Sequence, residues 1–270
     1  MDVKLPTVDV FLITYIRDFP WIPYLLRSIE LHVTGMRHLV LVLEKQDPEP
    51  ENLPPWVVVK RCRDYRNTDI PGYFGQSIEG LRAHRYTNAD VIWFAEADWV
   101  FVRDIDLQRD REYQARRPLI LHNDPNKVGK ARKWVAPTAQ VLAPLAVPFE
   151  TMRRPPFWYP RWFIRDVWNQ FGGERLISMV RSGLELSQFN VLNSAALALN
   201  EANGGKLFAP VHMSREKGKI PAPCVVQFWS HDTPDHPGVL HDLAKMGLLT
   251  ADEIVKMEAA GPARKRRTKA

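Results

Sequence analysis

The apolar positions of this chain fall first into short runs and then into helical spacing. Residues 8–16 form a mostly apolar run behind Pro6, which reads as a first β-strand ending in the turn Thr14-Tyr15-Ile16-Arg17-Asp18. Pro20 suits the first turn of a helix. Trp21, Leu25, Leu26, Ile29 and Val33 then recur near helical spacing until Gly35. Residues 38–43 predict a second strand, residues 48–55 a loop rich in proline and acid, and residues 57–59 a third strand. Strand, helix, strand, loop, strand predicts a parallel sheet with right-handed crossovers.

Residues 70–75 are rich in turn formers and lead to an expected helix from Gln76 to about Arg85, with Ile78 and Leu81 inward. Residues 91–95 are wholly apolar and predict a buried strand. Glu96-Ala97-Asp98 follows, then a second apolar run, Trp99-Val100-Phe101-Val102. Residues 118–122 predict another strand, with Asn123-Asp124-Pro125 as its turn. The stretch 136–149 carries Pro137, Pro144 and Pro148 and is expected to be irregular. Helices are expected from Trp162 to a stop at Gly172-Gly173, and over residues 186–201. Residues 207–209 and 225–229 read as late strands, the second delivering Ser230-His231-Asp232. Thr250 and Glu253 form a capping box at the head of a last helix over residues 250–259.

Ligands of parallel sheets bind beyond the carboxyl ends of the strands. Thr14, Tyr15 and Arg17, then Arg63, Asp64, Tyr65 and Arg66, then Glu96 and Asp98, each follow a strand and are expected to gather on one rim. A buried strand ending in two acids needs a reason, because an unpaired buried carboxylate is costly. Hard divalent cations sit between one or two carboxylates and the phosphates of a substrate. Glu96 and Asp98 therefore read as a metal–diphosphate site, against the alternative of two acids in a surface turn.

With 270 residues, 45% of them hydrophobic, the chain can bury a full α/β core. It contains no apolar run of membrane-spanning length. The first residues lack a basic-then-apolar leader pattern, and Cys62 and Cys224 lack a metal or redox spacing, so a cytoplasmic protein with reduced thiols is expected. The net charge is +6, of which residues 264–270 supply +5, leaving +1 on the body. The basic end reads as a disordered tail able to serve as an interaction arm, and overall charge alone says little about nucleic acid.

The motifs together resemble the GT-A fold, nucleotide-sugar-dependent glycosyltransferases of bacterial and viral type. Those that carry the resemblance are the polar turn Thr14-Tyr15, Gly72-Tyr73-x-x-Gln76 before a helix, and Glu96-Ala97-Asp98 before Trp99-Val100-Phe101. Ser187-Gln188-Phe189-Asn190 at a helix start and His231 after a late strand complete them. The resemblance implies a GT-A-like α/β domain with a mostly parallel central sheet flanked by helices. Residues 1–135 would bind the nucleotide sugar, 136–247 the acceptor, and 248–270 would hold a C-terminal helix and the basic tail. Two positions depart from the pattern. The first acid is Glu96, and Gln188 stands where relatives carry a glutamate, an amide that cannot act as a base.

The implied cofactor is Mn²⁺ or Mg²⁺, with Asp98 as direct ligand, Glu96 beside it, His231 as a second candidate and Asp232 as its substitute. The donor is a nucleoside diphosphate sugar, expected against Thr14, Tyr15, Arg17, Asp64, Arg66, Gln76 and Glu96. Arg17, Arg66 and Lys217 are candidates for the leaving phosphates. The candidate bases are Glu185, Asp166 and Asp124. In a retaining reaction Gln188 or Asn190 would instead line the reacting face. Two segments that mix basic and aromatic residues, 127–134 and 153–162, lie in the half that the resemblance assigns to the acceptor, which implies acceptor roles for Trp134, Arg154 and Trp158, and for Asn190 from the helix start. The acceptor is a hydroxylated base in DNA, as in phage-type modification, which must be flipped to be reached, or else a glycan, glycolipid or protein. A catalytically decayed nucleotide-sugar or nucleic-acid binding module, and a metal-dependent nuclease or phosphatase, are the competing classes.

Overall fold

In this computed structural model, residues 5–65, 68–70, 72–109, 117–143, 148–151, 157–171, 173–216, 223–228 and 234–259 are described. The first strand, β1 (Val8–Ile13), is buried along almost its whole length. A 3₁₀ turn over Ile16–Trp21 leads into α1 (Ile22–His32), whose Pro23 sits in the first turn. The short β2 (Val33–Thr34), then β3 (His38–Glu44) and β4 (Val57–Cys62), follow. Next come α2 (Gly72–Leu81), β5 (Val91–Ala95), β6 (Trp99–Phe101), β7 (Ile105–Asp106) and β8 (Leu119–His122). The second half comprises α3 (Val135–Leu142), β9 (Phe157–Pro160), α4 (Arg161–Phe171), α5 (Gly173–Arg181) and α6 (Gln188–Ala202). The short strands β10 (Ala209–His212) and β11 (Val225–Gln227) and the helices α7 (Pro237–Lys245) and α8 (Ala251–Ala259) close the described chain.

The central sheet has the order β4-β3-β1-β5-β9. Strands β4, β3, β1 and β5 are parallel, and β9 runs against β5. The fold is thus mixed α/β, with a mostly parallel sheet flanked by helices. From β1 the chain builds outward through β3 to β4, then returns to the other side of β1 with β5. That reversal makes the β1–β5 boundary a topological switch point, where neighbouring strands splay their connections and leave a crevice. Among the described residues, three two-stranded pairings, β8–β10, β6–β11 and β2–β7, accompany the main sheet.

The packing explains several departures from the expected elements. Helix α2 begins at Gly72, inside the stretch read as turns. Gly75 serves close approach: a Cβ there would lie 2.5 Å from Cγ of Tyr65. The helix stop expected at Gly172-Gly173 is present, since α4 ends at Phe171 and α5 opens at Gly173, where a Cβ would meet Trp168 at 1.8 Å. Helix α3 occupies part of the stretch expected to be irregular, because Pro137 falls in its first turn, where the missing N–H has no intrahelical role. Asp9, inside the first apolar run, is buried and held by Arg37 at 2.7 and 3.0 Å and by the Thr87 hydroxyl. The capping box forms: the Thr250 backbone N–H donates to Glu253 at 2.7 Å, and Arg27 on α1 donates to the same carboxylate at 2.6 Å. Among the described residues, no helix is long and apolar enough to cross a membrane.

Candidate functional site

The carboxyl ends of β1 and β5 open onto a cavity of about 200 Å³ at the switch point. Strand β1 delivers Thr14 and Tyr15 to it, and the 3₁₀ turn that follows adds Asp18. Strand β5 delivers Glu96 and Asp98. The start of α2 adds Tyr73 and Gln76, three residues apart and therefore on one helix face. The start of α6 adds Gln188 and Phe189. Thr14, Tyr15, Gln76, Glu96, Asp98 and Gln188 were thus expected at one site and share one cavity.

Asp98 is 6% exposed, and burial, with the Glu96 and Asp18 charges beside it, pushes its carboxyl up to about 8. Burial likewise raises Glu96 to about 7. Asp18 is also raised, by burial, against the lowering effect of Arg17. Three acids that resist losing their protons face one cavity. Such a set favours any ligand that brings positive charge, and binding it releases protons. The Thr14 hydroxyl and one Asp18 oxygen are buried in the same wall with no hydrogen-bond partner.

Strand β11 supplies a residue that the sequence reading missed. It pairs antiparallel with β6 and sets Gln227 opposite Trp99. The Gln227 amide then donates to Glu96 Oε2 at 3.0 Å, across 131 residues of chain. A glutamine closing the apolar run Val225-Val226 was the local signal; its partner strand was not readable from so far away. Asp18 and Tyr73 also belong to the cavity wall, although the sequence singled them out only as parts of motifs.

Gln188 is held in place. Ser77 Oγ donates to its Oε1 at 2.8 Å, and a Cβ on Gly80 would lie 3.0 Å from its Cγ. Ser187 caps α6 by accepting from the Asn190 N–H. Phe189 stacks on Phe157 with ring centres 4.2 Å apart, which seats the helix start against the sheet.

Other candidates fall elsewhere. Arg17 is exposed, 5.6 Å over the Tyr15 ring, and stands outside the cavity wall. Asp64 follows β4, two strands from β1, so it lies about 10 Å away in the sheet and does not line the cavity. Asp166 is exposed on α4 and pairs with Arg165 at 3.0 Å, away from the cavity wall. Trp158 is a correction: it lies buried in β9, stacked on Trp93 at 6.2 Å, and cannot meet an acceptor. Asn190 is a second correction, being fully buried and bonded to Thr151 at 2.9 Å. Glu185 is exposed and pairs at 3.0 Å with Lys133, which lies over the Trp134 ring that packs on Tyr73, so it sits by the cavity mouth. Trp134 packs on Tyr73 there. Arg66, Arg154, Lys217, His231 and Asp232 lie outside the described residues.

What Glu96 and Asp98 could offer a cation is one or two carboxylates on the cavity wall. Among the described residues, no group of three or more histidine, cysteine, aspartate or glutamate side chains is placed to hold a metal ion. One or two carboxylates facing an open cavity suit Mg²⁺ or Mn²⁺, which keep water and substrate phosphates as their remaining ligands. Against protein-family models and against curated proteins, the sequence finds no match.

Proposed function

We propose that this chain is a metal-dependent glycosyltransferase that binds a nucleoside diphosphate sugar in the switch-point cavity. The observation that carries the proposal is the Glu96–Asp98 acid pair, raised in pKa and facing a cavity at the carboxyl ends of β1 and β5. The mostly parallel sheet accommodates the GT-A-like reading of the motifs. Tyr15 offers a ring face to the nucleobase, and the unpartnered Thr14 hydroxyl offers a donor to the nucleoside. Asp98 is the assigned cation ligand, with Glu96 positioned beside it by Gln227. Bound there, Mn²⁺ or Mg²⁺ would act as a Lewis acid that neutralises the departing diphosphate.

In the transfer, the acceptor hydroxyl oxygen bonds to the anomeric carbon. The carbon–oxygen bond to the diphosphate breaks, and its electron pair leaves with the diphosphate. The hydroxyl proton goes to a carboxylate, for which we assign Glu185 at the mouth. Gln188 cannot serve, being an amide already accepting from Ser77. That same amide is the observation favouring a second reading, a decayed module that binds the donor without transfer.

The test is slow hydrolysis of sugar nucleotides with Mn²⁺, by wild type and by Asp98→Asn. Turnover of at least one donor that Asp98→Asn abolishes supports the enzyme. Binding without turnover of any donor favours the decayed module.

A further inference from the structure

The mouth of the cavity carries an aromatic shelf beside a strip of positive charge. Tyr73 lines the cavity yet leaves 44% of its surface exposed. Trp134 packs against it, ring centres 5.9 Å apart and planes 32° apart, which extends the shelf outward. Trp134 closes the 3₁₀ turn Gly129–Trp134, which also carries Lys130, Arg132 and Lys133. Lys133 lies 4.3 Å over the Trp134 ring and pairs with Glu185. Lys130 and Arg132 are exposed and have no ion-pair partner among the described residues.

We infer that this shelf is the acceptor subsite of the proposed transferase, and that the acceptor is a nucleotide exposed from a nucleic acid strand. The inference rests on the donor reading above. An aromatic shelf alone serves a sugar ring and a nucleobase equally, since both present a flat face. The cations decide between them. A neutral glycan leaves Lys130 and Arg132 idle, whereas a strand stacked on Tyr73 and Trp134 brings phosphates to them. The shelf borders the cavity, so a base unstacked from its neighbours, or flipped from a duplex, presents a hydroxyl to the donor.

The probe is a fluorescein-labelled DNA single strand of about 16 nucleotides, titrated by anisotropy against the full-length protein over a range of salt. Trp134→Ala is expected to weaken binding by about tenfold or more, and Trp134→Phe to retain most of it. Lys130→Ala with Arg132→Ala is expected to flatten the salt dependence by about 1.4 in the log–log slope. A full-length variant with Arg264, Lys265, Arg266, Arg267 and Lys269 all changed to Gln separates the tail from the shelf. Strand binding that survives the shelf variants but is lost with the tail variant overturns the inference. So does a wild type that binds a neutral oligosaccharide or an anionic lipid vesicle but no strand. The thermal response to nucleoside diphosphates is followed in parallel. Shelf-dependent strand binding without any such response leaves the shelf standing and removes the donor reading.

Discussion

Replacing Asp98 with Asn separates stability from function in a way that few positions would. The carboxyl is 6% exposed and pushed from 3.8 to about 8 by burial and by Glu96 and Asp18. A folded-state pKa above the unfolded one means that the unfolded chain ionises first, so this acid costs stability as pH rises from about 4 and reaches its full cost above about 8. At 1.36 kcal/mol per pH unit the ceiling is about 6 kcal/mol. Water entering the cavity lowers that, and about 2 kcal/mol is the expected gain when the amide removes the charge. For a chain of this length, that corresponds to a rise of about 4 °C in Tm. Melting curves followed by circular dichroism, at about pH 5 and about pH 8.5, give the comparison. Asp98→Asn should melt higher than wild type at the higher pH, with the gap shrinking toward the lower one. The same variant should lose the response to Mn²⁺ with nucleotide, since a site that lowers stability does so for its ligand. A variant less stable than wild type at both pH values would refute the account of a strained acid pair.

Three further outcomes follow from particular contacts. Gly75→Ala places a Cβ 2.5 Å from the Tyr65 ring and should destabilise by about 1–3 kcal/mol in denaturant titration, although alanine is the better helix former. Glu253 is drawn down to about 2: burial opposes its ionisation, but Arg27 and Thr250 outweigh it. Its stabilising contribution is therefore present above about 4.5 and fades as pH falls toward 2, so Glu253→Gln should lower Tm at neutral pH and converge on wild type in acid. Glu185→Gln should cut transfer to an acceptor by about 100-fold while leaving nucleotide-dependent thermal shifts in place, as expected of a general base. An equal loss of both would place Glu185 in donor binding instead.

The parts of the molecule legible in the sequence are those specified locally. Strand β5 is wholly apolar, strands β1, β3 and β4 are built on short apolar runs, and the residues following β1 and β5 could be placed on one rim because parallel strands share a carboxyl edge. The Gly-Tyr-x-x-Gln spacing put Gln76 on the cavity-facing side of α2. Long-range pairing hid the rest. Gln227 reaches Glu96 only because β11 lies against β6. Trp158 stood in a stretch mixing bases with aromatics and looked like surface, but residues 157–160 form the strand that covers β5. Asp64 follows a strand as the others do, yet sheet order sets β4 at the far edge. The packing role of the glycines was the part not readable. Gly75 was read as part of a turn but lies inside α2, and Gly173, correctly read at a helix stop, has the same further role of making room for an aromatic ring.

The most direct measurement is a thermal-shift panel of nucleoside diphosphates and their sugars on the wild-type chain, with and without Mn²⁺. A ligand that binds the folded state stabilises it by mass action, about 2.7 kcal/mol at a hundredfold excess over Kd. The account predicts that one nucleotide raises Tm by several degrees, that Mn²⁺ is required, and that the dependence on Mn²⁺ vanishes in Asp98→Asn. A melting temperature unmoved by every nucleotide, with the metal present and the protein folded, would contradict it.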